Sequence, residues 1–143
     1  MKIAICASLE FTSQVKEVAE NLTRIGHEVT IPVTSDMILN NKVTLEEIKK
    51  EKESGEIYKR MIRQDSIRRY CKLIEKAESV LVLNFDKRGI RNYIGGNVFL
   101  EMGFAHLLDK KIFLLNDIPD VLYKDEILSM QPIVINGDLK KIK

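Results

Sequence analysis

Three short runs limit what this chain can fold into: "KIAICAS" (2–8), "SVLVLNF" (79–85) and "KKIFLLND" (110–117) are apolar with little polar alternation. A strand that reads this way has both faces buried, as in a parallel sheet covered by helices on each side. After the first run, Val15, Val18, Ala19, Leu22 and Ile25 recur at helical spacing and form one apolar stripe. Thr12 or Ser13 is placed to cap that helix, Gly26 to close it, and "HEVTIPV" (27–33) to return as a second strand. Strand, helix, glycine, strand is a right-handed βαβ unit. With "PIVIN" (132–136) as a last strand, the chain reads as α/β. The expected architecture is a flavodoxin- or Rossmann-like three-layer sandwich with a five-stranded, mostly parallel sheet.

Between the second and third strands, residues 34–43 read as a loop and Thr44 caps a helix beginning "LEEIKKEKE", which Gly55 interrupts. From 56 to 77 the spacing is helical again, but its apolar face moves. Ile57, Tyr58, Met61 and Ile62 share one side, whereas Ile67, Tyr70, Cys71 and Ile74 lie nearly opposite at about 100° per residue. Either the helix breaks near Asp65 or its first half leans on another partner, such as a second subunit. "DKRGIRNYI" reads as a loop, "GGNVFLEMGFAHLL" as the helix after it, and "DVLYKDEILSM" as a short helix beyond Pro119.

At 143 residues the chain is expected to be one domain, 1–143. A net charge of +2 with both signs interspersed is no footprint for nucleic acid, and "DLKKIK" reads as a solvated tail. No apolar run reaches the roughly 18 residues of a membrane span, and "MKIAICAS" does not read as a signal peptide. Cys6 and Cys71 belong to no CxxC pair and read as buried free thiols, which fits a cytoplasmic protein without metal or cofactor.

In open α/β sheets, ligands bind beyond the carboxyl ends of the strands. Four segments converge there on this reading: "ASLEF", "PVTSD", "NFDKRGIRNYIGG" and "NDIP". The turn Gly95-Gly96-Asn97 ahead of a helix exposes unpaired N–H groups to a polar or anionic ligand, or serves close packing. It is neither a GxGxxG after the first strand nor a GxxxxGK[ST]. Glu101 is the sharper signal. A carboxylate among Val98, Phe99, Leu100, Met102, Phe104 and Ala105 loses hydration unless it is paired or faces a cleft. A salt bridge to Lys87, Arg88 or Arg91 is the structural alternative. Gly103 inside the same helix implies close packing there.

"GGNVFLEMGFAHLLDKKIFLL", after a strand ending "LVLNFD", resembles the nucleoside 2-deoxyribosyltransferase family and its relatives, the 2′-deoxynucleoside 5′-monophosphate N-glycosidases. The matching pattern is a glycine turn, a helix with Glu101-Met102-Gly103-x-Ala105, and a Lys-led apolar strand from Lys110. "CASLEF", "GHEVTIP" and "ILSM" (127–130) resemble further segments of that family. The resemblance implies cleavage or transfer of an N-glycosidic bond in a 2′-deoxynucleoside or its 5′-monophosphate. Glu101 would be the nucleophile and a covalent deoxyribosyl ester the intermediate. It also implies a small-molecule nucleoside or nucleotide as partner, no cofactor, and a homodimer or larger assembly.

Members of the family place an aspartate on the helix before the central strand, where this chain has Tyr70; Asp65 lies more than a turn earlier, and Asp86 at the strand end is the rival. The hydrolases hold the 5′-phosphate in a basic, glycine-rich first turn, where this chain reads Ser8-Leu9-Glu10. Glu10 there is expected to repel a phosphate, while Ser8 remains a hydrogen-bonding candidate. Tyr93 is placed to stack on a base, and Ser129 resembles a serine that completes a neighbouring subunit's site. His106 lies about 140° around the helix from Glu101 and reads as a core or interface residue. The missing partner carboxylate leaves a second reading open, a non-catalytic nucleotide-binding or sensing module of the same fold.

Overall fold

The computed structural model describes residues 1–143. Five strands form one sheet: β1 (Lys2–Ala7), β2 (Glu28–Thr30), β3 (Ser79–Leu83), β4 (Lys111–Leu114) and β5 (Ile133–Val134). Their order is β2-β1-β3-β4-β5, and every adjacent pair is parallel. β1 and β3 run in register from Ile3↔Ser79 to Ala7↔Leu83. The strand order reverses direction at β1, so the loops after β1 and β3 diverge and leave a crevice at their carboxyl ends.

The unalternated apolar runs are buried on both faces, as expected. Ala4, Cys6, Val80, Val82, Ile112 and Leu114 face one layer, with Tyr70, Ile74, Val98, Met102 and Ile127 against them. Ile3, Ile5, Leu81, Leu83 and Phe113 face the other layer, which holds Val15 and Leu22. Helices α5 (Ser66–Lys76), α6 (Gly96–Leu107) and α7 (Lys124–Ser129) supply the first layer, and α1 (Thr12–Arg24) the second. The second layer also takes Ile142, which is buried, so the basic C-terminal segment is not a solvated tail. No helix is long and apolar enough to cross a membrane.

Several local readings change. A single turn of 3₁₀ helix, Leu9–Phe11, precedes α1, and no side chain caps α1. Thr12 instead donates from Oγ1 to the Leu9 carbonyl at 2.6 Å and lies 3.2 Å from Ser35 Oγ. Ser35 belongs to α2 (Val33–Leu39), a helix in the stretch that the sequence presents as a loop. Thr44 does cap α3 (Leu45–Glu53), in a full capping box with Glu47. The apolar shift after Gly55 is a real break: α4 (Ile57–Gln64) ends at Asp65, whose left-handed φ of 47° separates it from α5.

Candidate functional site

A cavity of about 300 Å³ opens at the carboxyl ends of β1 and β3. Its volume is at the lower limit of ligand pockets, enough for one small molecule. Three of the four expected segments reach it: Ala7 and Ser8 after β1, Pro32 to Thr34 after β2, and Lys87 to Asn97 after β3. The fourth does not. Asn116 after β4 is locked to the buried Asn84, whose Oδ1 accepts from the Asn116 N–H at 2.9 Å while its amide donates to Asn116 and Asp117 carbonyls.

Glu101 forms part of the cavity wall and is only 7% exposed. α6 turns it inward with Val98, Met102 and Ala105, whereas Leu100 and Leu107 on its outer face stand in solvent. None of the loop cations pairs with it. Asn97 Nδ2, one turn back, donates to Oε1 at 3.3 Å, and Oε2 has no partner. Burial pushes the Glu101 carboxyl up to about 8, and the Cys6 thiol nearby offsets part of that rise. Burial and the Glu101 charge together hold the Cys6 thiol well above its ordinary value. Tyr70, the third member of this buried group, is raised by burial first and then by Cys6 and Glu101; its hydroxyl donates to the Ile5 carbonyl. The arrangement is a carboxyl group in the wall of a cavity, with one oxygen buried and without a hydrogen-bond partner.

Glycine at 95 has a specific reason. A Cβ there would lie 3.1 Å from Tyr93 Cε1, so its absence lets the Tyr93 ring fold over the turn that begins α6. Gly103 has no such reason, because a Cβ there meets nothing within 4 Å. The expectation of close packing at Gly103 therefore fails.

The rim of the cavity is cationic. Lys87, its side chain only 8% exposed, donates to Ser8 Oγ at 2.8 Å, pairs with Glu10 at 3.3 Å and lies 5.5 Å from the Tyr93 ring centroid. Glu10 is thus neutralised by Lys87 and is not a free repulsive charge. Lys52 of α3 and Arg88 join Lys87 on the wall and have no carboxylate partner. Burial lowers the Lys52 ammonium below its usual range, Lys87 and Arg88 lower it further, and Glu10 offsets part of that fall. Arg60 of α4 also lines the cavity, but Glu51 holds it in a two-pronged pair.

The remaining wall is α4, which contributes Ile57, Met61 and Gln64. Half of the displaced apolar face therefore lines the cavity, while Tyr58 and Ile62 are exposed. Sequence reasoning missed this wall and Lys52; the moved apolar face was the available signal.

Of the expected site residues, the structure brings together Glu101, Ser8, Tyr93, Gly95, Gly96 and Asn97 around one cavity. Asp65, Asp86 and Ser129 stand outside its wall. Asp65 is exposed at the helix break and pairs with Arg68 at 3.1 Å. The exposed Asp86 accepts from the Asn92 N–H at 2.9 Å and closes its own loop. Ser129 donates to the Glu126 carbonyl at 2.7 Å and is exposed. His106 is exposed as well, neither core nor cavity. No three His, Cys, Asp or Glu side chains converge as a metal site requires.

No family model matches the sequence, and no curated protein matches it. Among solved structures, the chain is similar to a 2-deoxyribosyltransferase from the psychrotolerant bacterium Bacillus psychrosaccharolyticus, an enzyme described as a biocatalyst for nucleoside synthesis. The TM-score is 0.52 at 17% identity, over 80% of this chain and 71% of that one. The two share a fold.

Proposed function

We propose that this protein is an enzyme that breaks or transfers the N-glycosidic bond of a 2′-deoxynucleoside 5′-monophosphate, with Glu101 as nucleophile. The observation that carries this is the unpartnered Glu101 Oε2, buried against a small-molecule-sized cavity at the β1/β3 crevice. The likeness of fold to a 2-deoxyribosyltransferase gives independent support.

The chemistry follows from the placement. An ionised Glu101 Oε2 attacks C1′ of the sugar. The bond from C1′ to the base nitrogen breaks, its electron pair leaves with the base, and the base takes up a proton from solvent. The glycosyl ester is then resolved by water or by a second base, whose lone pair forms the new bond to C1′, which restores the carboxylate and returns one proton to solvent. Burial serves this step because a poorly hydrated carboxylate oxygen is already stripped of the water it would have to shed. The Asn97 amide on Oε1 leaves the other oxygen as the one without a hydrogen-bond partner.

The phosphate is the part of the substrate that the rim supports. Lys52, Lys87 and Arg88 come from two separate parts of the chain and line the cavity together, and Glu10 offsets only part of their charge. A phosphate monoester placed there offsets the rest, with Ser8 and the N–H groups of the Gly95-Gly96 turn as further donors.

A non-catalytic nucleotide-binding module is the second reading, favoured by the absence of any carboxylate other than Glu101 from the cavity wall. The test is release of free base from a panel of 2′-deoxynucleosides and their 5′-monophosphates, with and without an acceptor base, for wild type and Glu101→Ala. Release by wild type that disappears in Glu101→Ala supports the enzyme, and acceptor dependence separates transfer from hydrolysis. Nucleotide binding without release supports the module.

A further inference from the structure

Gln64 is the last residue of α4, and the helix breaks immediately after it at the left-handed Asp65. Its side chain forms part of the cavity wall beside apolar groups from two elements: Pro32 and Val33 at the start of α2, and Ile57 and Met61 on α4. An amide in such surroundings is costly unless its polar atoms are paired. Here only one is, and weakly. Nε2 donates to the Met37 thioether on α2, 3.6 Å from Sδ, and Oε1 is buried with no hydrogen-bond partner.

The sulfur decides which way the amide faces. A thioether accepts weakly and donates nothing, so it tolerates the NH₂ end and offers nothing to the oxygen. Turning the amide over would set two acceptors against each other. The unused hydrogen-bonding atom is consequently an acceptor, on a residue of the cavity wall whose NH₂ is held by a methionine of α2. A flat, mostly apolar ring with an N–H projecting from its edge supplies what is missing, and a ring that presents a carbonyl oxygen there does not.

We propose that Gln64 is the base-reading residue of this site, its Oε1 accepting an N–H from the exocyclic amine of an adenine- or cytosine-type base. This rests on the nucleotide reading of the cavity given above. Gln64 would contribute to choice of substrate and not to the bond-breaking step, and Met37 would set the direction of that choice by holding the amide donor.

The test is calorimetric binding to the full chain carrying Glu101→Gln, which prevents turnover. The probes are matched 5′-monophosphates: 2′-deoxyadenosine against its analogue lacking the 6-amino group, and 2′-deoxycytidine against 2′-deoxyuridine. A preference for the amino member of roughly tenfold or more is expected, because a site built around a hydrogen bond rejects the ligand that cannot make it. Adding Gln64→Met, similar in volume, is expected to reduce both preferences to within about twofold while the des-amino nucleotide binds as before. Met37→Leu frees the amide to turn and is expected to narrow the cytosine-to-uracil gap. Amino preference that persists in Gln64→Met, with the fold intact by circular dichroism, overturns the assignment. Failure of every nucleotide to bind overturns the nucleotide reading, and this proposal with it.

Discussion

The two walls of the cavity differ in how they are held. The wall carrying Glu101, Ser8 and the Gly95-Gly96 turn stands on β1, β3 and α6, where Ala4, Cys6, Val82 and Met102 are completely buried. The opposite wall is α4, which has no buried residue of its own and is tied back to α3 by the Arg60–Glu51 pair. A carboxylate proposed to meet C1′ within a few tenths of an ångström belongs on the first wall, because packing there fixes its rotamer. Groups that only surround a substrate can sit on the second, which has little buried apolar area to resist opening. On the proposed reading, the sheet wall holds the attacking carboxyl and most of the phosphate contacts, and the helical flap holds the base-reading Gln64.

The largest expected effect breaks the first wall's chemistry without disturbing its packing. Glu101→Gln is expected to lower the rate of base release by about a thousandfold or more, measured by single-turnover kinetics. The same substitution is expected to raise the melting temperature at pH 9. The folded-state pKa of Glu101 is about 8, above its ordinary 4.5. The native state therefore retains a proton that the unfolded chain has lost, and stability falls as pH rises through that window. A glutamine amide cannot ionise, so the decline between those limits should shrink in thermal melts of the variant. Burial keeps Glu101 mostly protonated at neutral pH, so the initial rate in wild type should climb with pH until near 8.

A smaller effect lies on the rim. Lys87→Met removes the cation that joins Ser8, Glu10 and Tyr93, and leaves Glu10 facing any phosphate. Affinity for the 5′-monophosphate is expected to fall roughly ten- to a hundredfold, with little change for the unphosphorylated nucleoside. Equal losses on both ligands would show that Lys87 organises the loop and does not select the phosphate. The second wall should respond less. Arg60→Ala releases α4 from Glu51 and is expected to lower the melting temperature by a few degrees at most, with KM rising more than kcat falls. The smallest effect is expected at Gly103→Ala. A Cβ there meets nothing within 4 Å, so the helix should gain up to about 1 kcal/mol in thermal melts with activity unchanged.

What the sequence conveys follows the same division. The sheet wall is readable because its physics is local in sequence: apolar runs without alternation mark buried strands, and a carboxylate inside an apolar helix marks Glu101. The helical flap is not. "TSDMIL" (34–39) reads as part of a loop, yet those residues lie on α2, where Ser35 reaches Thr12. Lys52 and Lys87 stand far apart in the chain and meet only when α3 folds over the strand ends, so neither spacing nor composition reveals the cationic rim. Asp65 was readable as a break in the helix, and the left-handed turn there accounts for its position without a catalytic role. Ile142 shows the same limit, since one apolar residue between lysines gives no sign of the core it enters.

The central claim, that the buried free oxygen of Glu101 bonds to the sugar, is tested most directly by peptide mass spectrometry. The probe is a 2′-deoxy-2′-fluoroarabinonucleoside 5′-monophosphate, whose fluorine destabilises positive charge at C1′ and slows resolution of the ester. One fluorosugar phosphate is expected on the peptide containing Glu101, with base released in equal amount, and no adduct on the Glu101→Gln variant. Stoichiometric base release without any adduct on that peptide, or an adduct on another residue, would contradict it.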